Sequence, residues 1–405
     1  MLVGMQIRRR EWIFLAAARP TVRRELFIAA PGAGTAVMAY AYYTGPRGGA
    51  MTSVEQRWSR SDTIDTAFYR RSQDNGRTWS SPVERKTRER RAGGTWRMHP
   101  RAGWVDPRTG RLIEFWLEGV LPSDDPLEGL RQWRIFYRVG EHGPALPVGP
   151  LPGVWTGKNS AMIGDQTCRP LGLRDGRILV PICISPLAAD GSLANPGGGY
   201  TWHDAAVLHG RWRGQELEWE LSELIRGDPQ LSTRGWDEPT LAELHGGRLM
   251  MVLRGSNDRK PELPGRKWVC FSEDTGRHWS PPRPWTYRGG KAFYSPSACS
   301  QLLRHSNGRL YWLGNITAEN PRGNRPRYPF HIGEVDRQSG ELIEPSVQVI
   351  DDLAPGENPQ LTLSNFLARE DRATGEICVH MTRLLALPDG WQGDALLFRI
   401  PVRTS

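Results

Sequence analysis

Ionisable side chains stand just ahead of several short apolar segments, at the points where strands would begin. The pair Asp237-Glu238 precedes one such segment, and Arg24, His99 and Arg101 precede others. Neighbouring carboxylates act as general acids and bases, and a histidine beside an arginine suits proton transfer next to an acidic group. Arginine also binds a carboxylate through two parallel hydrogen bonds. These residue types predict acid–base chemistry on an anionic small substrate.

Composition and charge exclude several other classes of protein. The 405-residue chain carries 53 lysine and arginine residues against 44 acidic residues, a net charge of +9. The basic residues are scattered among acidic ones and no nucleic-acid-binding motif accompanies them, so no nucleic-acid partner is expected. No segment approaches the ~20 apolar residues of a membrane-spanning helix. The five cysteines lack CxxC spacing, so we expect reduced thiols and neither a metal site nor another cofactor.

The beginning of the chain bears on its location in the cell. Arg8-Arg9-Arg10 precede an apolar run from Trp12 to Ala18. This order is similar to the start of a secretory signal, but the run is short and no clear cleavage site follows it. A cytoplasmic location is therefore the favoured expectation.

A recurring turn organises the candidate residues into repeats. Glycine followed by a short apolar run occurs six times, 61 to 76 residues apart, at Gly34, Gly110, Gly176, Gly247, Gly308 and Gly375. Asp or Asn often stands nearby, and these residues tolerate the positive φ of a tight turn between two strands. Six such units, each with room for four short strands, predict an all-β fold: a six-bladed β-propeller that spans residues 1–405 as a single domain.

The propeller geometry predicts where a ligand would bind. The innermost strands begin near one mouth of the central channel, so residues nine or ten positions before each turn glycine sample that mouth. The residues at those positions are Arg24 and Glu25, Pro100 and Arg101, Gln166 and Thr167, Asp237 and Glu238, Ala298 and Cys299, and Asn365 and Phe366. Unpaired charges are costly to bury, so the mouth is predicted to be polar and solvated.

Two segments 200 residues apart share the pattern Ser-x-Asp-x-Gly-x-x-Trp. They are Ser72–Trp79 and Ser272–Trp279, and a degenerate third copy covers Asp336 to Gly340. The pattern resembles the Asp-box, or BNR repeat, of the sialidase (neuraminidase) superfamily. In that superfamily the Asp-box lies away from the active site, so the resemblance implies a six-bladed sialidase-like propeller and not an activity.

The resemblance extends to the candidate site. The segment from Asp237 to Arg254 is similar to the one that holds the catalytic glutamate of sialidases, here Glu238, and an arginine of the triad that binds the sialic acid carboxylate. Arg24 resembles the first arginine of that triad, and Arg327 resembles the third. Asp62, ahead of the first Asp-box, resembles the acid/base aspartate.

The sequence departs from the sialidases at the nucleophile. That residue is a tyrosine in the last repeat, where this chain has Leu363-Ser364-Asn365-Phe366, and all ten tyrosines lie at or before Tyr328. Direct attack by water that a carboxylate activates is therefore predicted, with inversion at the anomeric carbon. Tyr294 and Asn365 are expected beside the channel, in contact with the substrate.

The first functional hypothesis is a sialidase-like, exo-acting glycoside hydrolase. Its substrates would be glycans that end in sialic acid or a related acidic sugar. Asp62 and Glu238 would supply acid and base, and Arg24, Arg254 and Arg327 would bind the substrate carboxylate.

Two alternatives remain open at the level of sequence. A polysaccharide lyase would eliminate next to a uronic acid, with His99 or Tyr294 as base and Arg101 neutralising the uronate. A carbohydrate-binding propeller without catalysis would have the same fold, since propellers carry many functions.

Overall fold

The computed structural model describes residues 21–152, 155–388 and 390–402. The segment from Arg8 to Ala18, which carries the signal-like pattern, lies outside the described residues. Within these ranges strands dominate, and helical structure consists of three short 3-10 segments at Pro126–Arg131, His245–Gly247 and Glu344–Ser346. The described part of the chain contains no helix of the length and hydrophobicity needed to cross a membrane.

The strands form six antiparallel sheets, which are the blades of the propeller. The chain begins with β1 (Arg23–Ile28), and blade 1 then contains β2 (Ala36–Tyr43), β3 (Met51–Trp58), β4 (Thr66–Ser72) and β5 (Val83–Arg85). Blade 2 contains β6 (Arg88–Arg91), β7 (Gly94–Pro100), β8 (Trp104–Val105), β9 (Leu112–Leu121), β10 (Arg134–Val139) and β11 (Leu146–Pro147). Blade 3 contains β12 (Ala161–Met162), β13 (Leu171–Gly172), β14 (Ile178–Ile184), β15 (Asp204–Arg213) and β16 (Glu216–Leu221).

The second half of the chain repeats this plan. Blade 4 contains β17 (Asp237–Glu243), β18 (Leu249–Arg254), β19 (Lys267–Ser272) and β20 (Arg283–Pro284). Blade 5 contains β21 (Gln301–Arg304), β22 (Leu310–Asn315), β23 (Phe330–Val335) and β24 (Gln348–Asp351). Blade 6 contains β25 (Phe366–Glu370), β26 (Ile377–Thr382) and β27 (Ala395–Ile400), followed by β1. The prediction of an all-β, six-bladed propeller is confirmed.

Five of the six turn glycines have the predicted role. Gly110, Gly176, Gly247, Gly308 and Gly375 lie in the β8–β9, β13–β14, β17–β18, β21–β22 and β25–β26 turns, and each has a φ between 69° and 88°. A side chain disfavours this left-handed backbone, so glycine suits the turn. The consequence is that residues ahead of these turns enter the innermost strands of blades 2 to 6.

The sixth turn differs, because β1 closes the ring. This strand pairs antiparallel with β27, with Arg24 opposite Phe398, and so forms the outer edge of blade 6. Gly34 therefore connects the last blade to the first, and the first two strands of blade 1 are β2 and β3. The prediction that Gly34 marks the inner turn of blade 1 is wrong.

The hydrophobic core lies between neighbouring blades. Between blades 4 and 5, Trp285 and Trp312 are fully buried with their ring centroids 5.4 Å apart, and Phe293 packs against both. Burial of large apolar surface of this kind supplies most of the favourable free energy of folding. Each blade presents apolar side chains on both faces, and the ring form buries both.

The two Ser-x-Asp-x-Gly-x-x-Trp segments form equivalent corners between the third and fourth strands of blades 1 and 4. In the second copy the Ser272 hydroxyl donates to Asp274 Oδ1 at 2.8 Å and accepts the Gly276 N–H at 2.8 Å. Ser72, Asp74 and Gly76 repeat this arrangement in the first copy. These hydrogen bonds make each corner self-contained, at a distance from the channel mouth.

Candidate active site

A cavity of about 500 Å³ lies at the mouth of the channel, where the innermost strands begin. Each of the six blades, or the loop that leads into it, contributes at least one residue to the cavity wall. In the order of the blades these include Met38, Arg101, Asp165, Glu238, Arg327 and Asn365. Many of the lining groups are ionisable. The polar mouth predicted from the strand starts is therefore present in the structure.

Blade 4 places two carboxylates at the start of its innermost strand. The register of β17 against β18 shifts between Asp237 and Thr240, and Glu238 has a φ of 41°. A residue with a side chain rarely adopts this left-handed backbone, and such strain is concentrated at functional sites. The Glu238 N–H is held by Cys183 Sγ at 3.2 Å. The bulge turns the Glu238 side chain towards the cavity.

Arg254 lies across the sheet from Asp237 and binds Glu238. Its Nη1 is 2.7 Å from Glu238 Oε2, and its Nε donates to Ser297 Oγ at 2.9 Å. Only 9% of the Arg254 side chain is exposed. A buried ion pair of this kind depends on both partners, since removal of one leaves the other charge without compensation.

Asp237 has a different environment from its neighbour. It forms an ion pair with Arg234 at 3.3 Å, and His203 Nδ1 lies 3.5 Å from its other carboxylate oxygen. Burial alone would raise the pKa of Asp237, but His203, Arg254 and Arg234 lower it below the usual range. Asp237, which also lines the cavity, is therefore a fixed negative charge and not a group that exchanges protons near neutral pH.

Arg327, from the segment ahead of β23, completes the basic side of the cavity. Its Nη2 donates to the Ser297 carbonyl at 3.2 Å, and its buried Nε has no partner among the described residues. Burial and the charge of Arg254 lower the pKa of Arg327 to about 10, so it stays protonated at neutral pH. Arg254 and Arg327 thus both bind Ser297, and Arg327, unlike Arg254, forms no ion pair with a described residue.

Asp165 is a third carboxylate in the cavity, on the loop between β12 and β13. It is partly buried; its Oδ1 accepts the Gln166 N–H at 2.6 Å and its Oδ2 accepts Asn365 Nδ2 at 3.3 Å. Burial, followed by the charge of Glu238, raises the pKa of Asp165 to about 6. Sequence reasoning missed it by one residue, since the count back from Gly176 sampled Gln166 and Thr167.

Asp62 lies at the rim of the cavity, on the loop between β3 and β4. It is exposed, has a φ of 56°, and accepts the Ser61 hydroxyl at 3.0 Å. Tyr200 lines the same rim, and burial together with the charge of Asp62 raises the pKa of this tyrosine. Sequence reasoning did not identify Tyr200. The rim therefore combines a solvated carboxylate with an aromatic ring.

His99 and Arg101 line the cavity from blade 2, but their environments differ from the expectation. The Arg101 guanidinium donates to the Ile163 carbonyl at 2.9 and 3.0 Å and to the Gly164 carbonyl at 3.0 Å, which ties blade 2 to blade 3. His99 is buried against Trp133, and burial and the Arg101 charge hold its pKa well below the usual range. Arg101 is thus committed to backbone carbonyls, and His99 is neutral.

Two predicted site residues do not reach the cavity. Arg24 is exposed on β1, at the outer edge of blade 6, and its nearest acidic partner is Asp351 at 3.7 Å. Tyr294 is 37% exposed in the connection between blades 4 and 5, where it pairs with Thr317. The expectations that placed these residues at the mouth depended on the wrong first turn and on sequence proximity, and the structure corrects both. Arg234 and Arg325, which were not predicted, also line the cavity.

Lys267 lies beneath the basic side of the site and gives a prediction about stability. It is fully buried next to Arg254, donates to the Ala298 carbonyl, and its pKa is lowered by burial and by Arg254 to about 7. An unfolded lysine titrates near pH ~10.4, so the unfolded chain binds more protons than the folded one between these values. This difference lowers the free energy of unfolding by its full amount below about pH 7. The loss disappears as the pH approaches ~10.4. We expect Lys267→Met to flatten the rise of unfolding free energy across this range, as measured by urea denaturation. Parallel curves for the variant and the wild type would contradict the prediction.

Metal ligands are not grouped in the part of the chain that the structure describes. No set of three or more His, Cys, Asp or Glu side chains there is arranged to hold a metal ion. All five cysteines are buried free thiols.

Comparison with known proteins identifies the fold. No family model matches the sequence, and no curated protein matches it. A protein of unknown function from Dyadobacter fermentans is similar in structure, with a TM-score of 0.62 and 12% identity over 95% of this chain and 100% of that one. The NanB sialidase from Streptococcus pneumoniae has a TM-score of 0.61 and 12% identity over 93% of this chain and 70% of that one. Trypanosoma rangeli sialidase in complex with the inhibitor DANA has a TM-score of 0.58 and 12% identity over 94% of this chain, which spans 60% of that sialidase. The chain therefore has the fold of a sialidase-like propeller.

Proposed function

We propose that the protein is an exo-acting glycoside hydrolase that cleaves an acidic sugar, sialic acid or a related keto-deoxy acid, from the end of a glycan. The observation that carries the proposal is the convergence of Arg254, Arg327, Glu238 and Asp165 in one cavity at the channel mouth. A cavity of about 500 Å³ matches a sugar ring with its substituents. The sialidase-like fold supports the same reading.

The basic side of the cavity suits a carboxylate. Arg254 and Arg327 both bind Ser297, and the lowered pKa of Arg327 reflects the charge of its neighbour as well as burial. A substrate carboxylate placed there would neutralise this charge and accept the free Nε–H of Arg327. Uncharged sugars lack that group and would bind more weakly.

The acidic groups suit hydrolysis. Asp62, solvated at the rim, would protonate the leaving oxygen, while a carboxylate on the floor, Glu238 in the sequence-based hypothesis, would activate water. Asn365 stands where the family resemblance would require the tyrosine nucleophile, and it offers no nucleophile. Attack by water in a single displacement would invert the anomeric configuration.

β-Elimination next to a uronic acid is a second candidate, which one observation favours. His99 is held neutral and its Nε2 has no partner among the described residues, as a base requires. Two residues assigned to the lyase do not fit their roles. Tyr294 lies outside the cavity and cannot act as the base, and the donors of Arg101 are used by backbone carbonyls and not by a uronate.

The test is a screen of the purified protein. Aryl glycosides of sialic acid, keto-deoxy acids and uronic acids are compared with the matching neutral glycosides, and release of the phenol is measured. Uronate polysaccharides are followed by near-ultraviolet absorbance in parallel. Turnover of acidic glycosides alone would support the hydrolase, and an unsaturated product would assign a lyase. Binding without turnover of any substrate would leave a carbohydrate-binding propeller.

A further inference from the structure

We propose that Asp165 is the catalytic base of this cavity and that Glu238 acts through it. The inference rests on the proposed hydrolase function and assigns the proton transfer from water to a different residue from the one expected. Glu238 then serves as a positioning and charge-supplying residue.

Asp165 and Glu238 are neighbours across the floor of the cavity. The backbone beside Asp165 approaches Glu238 so closely that a Cβ on Gly164 would lie 2.8 Å from Glu238 Cγ and 3.2 Å from Glu238 Cα. Glycine is the residue that permits this contact. Glu238 therefore lies against the loop that carries Asp165, and its charge contributes to the raised pKa of Asp165.

The hydrogen bonds of Asp165 fix its orientation. The Gln166 N–H and the Asn365 amide each donate to a different carboxylate oxygen, at 2.6 and 3.3 Å. Each carboxylate oxygen is therefore held by a donor, which restricts rotation of the carboxylate. Asn365 comes from the last blade, so it positions the base from the far side of the channel.

Glu238 is the weaker candidate because it is bound to a cation. Arg254 Nη1 contacts its carboxylate at 2.7 Å, so Glu238 is already engaged in a buried ion pair. Asp165 forms no ion pair with any residue that the structure describes. With its pKa raised to about 6, Asp165 is ionised at neutral pH and more basic than an ordinary carboxylate.

The reaction step balances in atoms and charge. The water oxygen bonds to the anomeric carbon as the glycosidic C–O bond breaks, one water proton passes to Asp165, and Asp62 gives its proton to the leaving oxygen. The products are the free acidic sugar with inverted configuration and an alcohol. Proton exchange with bulk water restores both residues for the next turnover.

Several titratable groups face Asp165 and set the pH at which it ionises. They are Glu238, Arg101, Cys299, Cys168 and Tyr40. Burial raises the pKa of both thiols and of the tyrosine, so these three are neutral near pH 6. Glu238 and Arg101 are therefore the charges that tune Asp165, in opposite directions.

The experiment compares Asp165→Asn with Glu238→Gln over a range of pH, with an acidic aryl glycoside that the wild type cleaves. The wild type should lose kcat/KM below about pH 6 as Asp165 becomes protonated. Asp165→Asn should lower kcat by ~10²–10⁴-fold and remove this acid limb, while binding of the free sugar, measured by calorimetry, is retained. Added azide should restore turnover and give a glycosyl azide. Glu238→Gln should keep measurable activity with the acid limb moved to lower pH, because the like charge is gone.

The outcomes separate this inference from the proposed function. If the wild type cleaves the substrate, Asp165→Asn stays active and Glu238→Gln is inactive, then Glu238 is the base and the inference is overturned while the function stands. If the wild type cleaves none of the acidic glycosides, both are overturned. Should Asp165→Asn fail to fold, the wild-type pH profile and the direction of the Glu238→Gln shift decide; an unmoved limb contradicts the proposal.

Discussion

Arg254→Ala is expected to weaken binding of acidic sugars by at least ~30-fold, while Arg24→Ala leaves it unchanged. Both residues are arginines that the sequence assigns to the same carboxylate-binding triad. The structure separates them, since Arg254 is buried against Glu238 and Ser297 and Arg24 is exposed on the outer strand β1. Comparison of the two variants therefore tests whether the location of the arginine in the cavity, and not its residue type, determines sugar binding.

The magnitude follows from burial. Removal of one partner from a buried charge pair costs about 3–5 kcal/mol, because the remaining charge stays desolvated. In Arg254→Ala that charge is Glu238, which would also repel an incoming carboxylate. Arg24 is itself 56% exposed and lies 3.7 Å from Asp351, which is already paired with Arg383; a surface arginine of this kind contributes about 0–1 kcal/mol.

Titration calorimetry with the free acidic sugar measures the effect, and urea denaturation separates it from loss of stability. Arg254→Lys is the companion variant, since it keeps the charge and loses the planar fork. We expect it to bind more tightly than the alanine variant and more weakly than the wild type. Equal affinities for Arg24→Ala and Arg254→Ala would contradict the assignment of the carboxylate site.

The fold was predictable because its determinants are local. A glycine with positive φ and an apolar strand on each side is a short-range signal, and Gly110 and Gly176 carry it in the form expected. Gly34 carries a looser copy, and the closure of the ring decides its role. Whether β1 opens blade 1 or completes blade 6 depends on pairing with β27, about 370 residues away. No pattern within the repeat reports that contact.

The site was predictable where a side chain follows directly from a strand start. Glu238 and Arg254 are of this kind, because they belong to one hairpin whose turn was located correctly. Arg101 shows that position does not determine side-chain contacts: it lies at the cavity as predicted, but its guanidinium binds backbone carbonyls of the next blade. Asp165 shows that a site residue in a loop escapes prediction, because no periodicity marks the loop between its two short strands.

Asp62→Asn is expected to lower turnover of glycosides with alkyl leaving groups by ~10²–10⁴-fold, which is the usual contribution of a general acid. The loss should be much smaller for aryl glycosides of acidic phenols, because such leaving groups depart without a proton. Asp62 lies exposed at the rim beside Tyr200, where a leaving group would emerge from the cavity. The amide keeps the size of the side chain and removes only the proton that the reaction needs.

Asp65→Asn is the matched control three residues along the same loop. Asp65 accepts the Ser59 N–H at 2.8 Å and pairs with Arg97 at 3.5 Å, and it does not line the cavity. Its replacement should leave the ratio of alkyl to aryl turnover unchanged, whatever it does to stability. A plot of rate against leaving-group acidity therefore distinguishes the two aspartates: the slope steepens for Asp62→Asn alone if Asp62 is the acid. A loss of equal size on both classes of substrate would assign Asp62 to substrate binding, because a binding contact acts before the glycosidic bond begins to break.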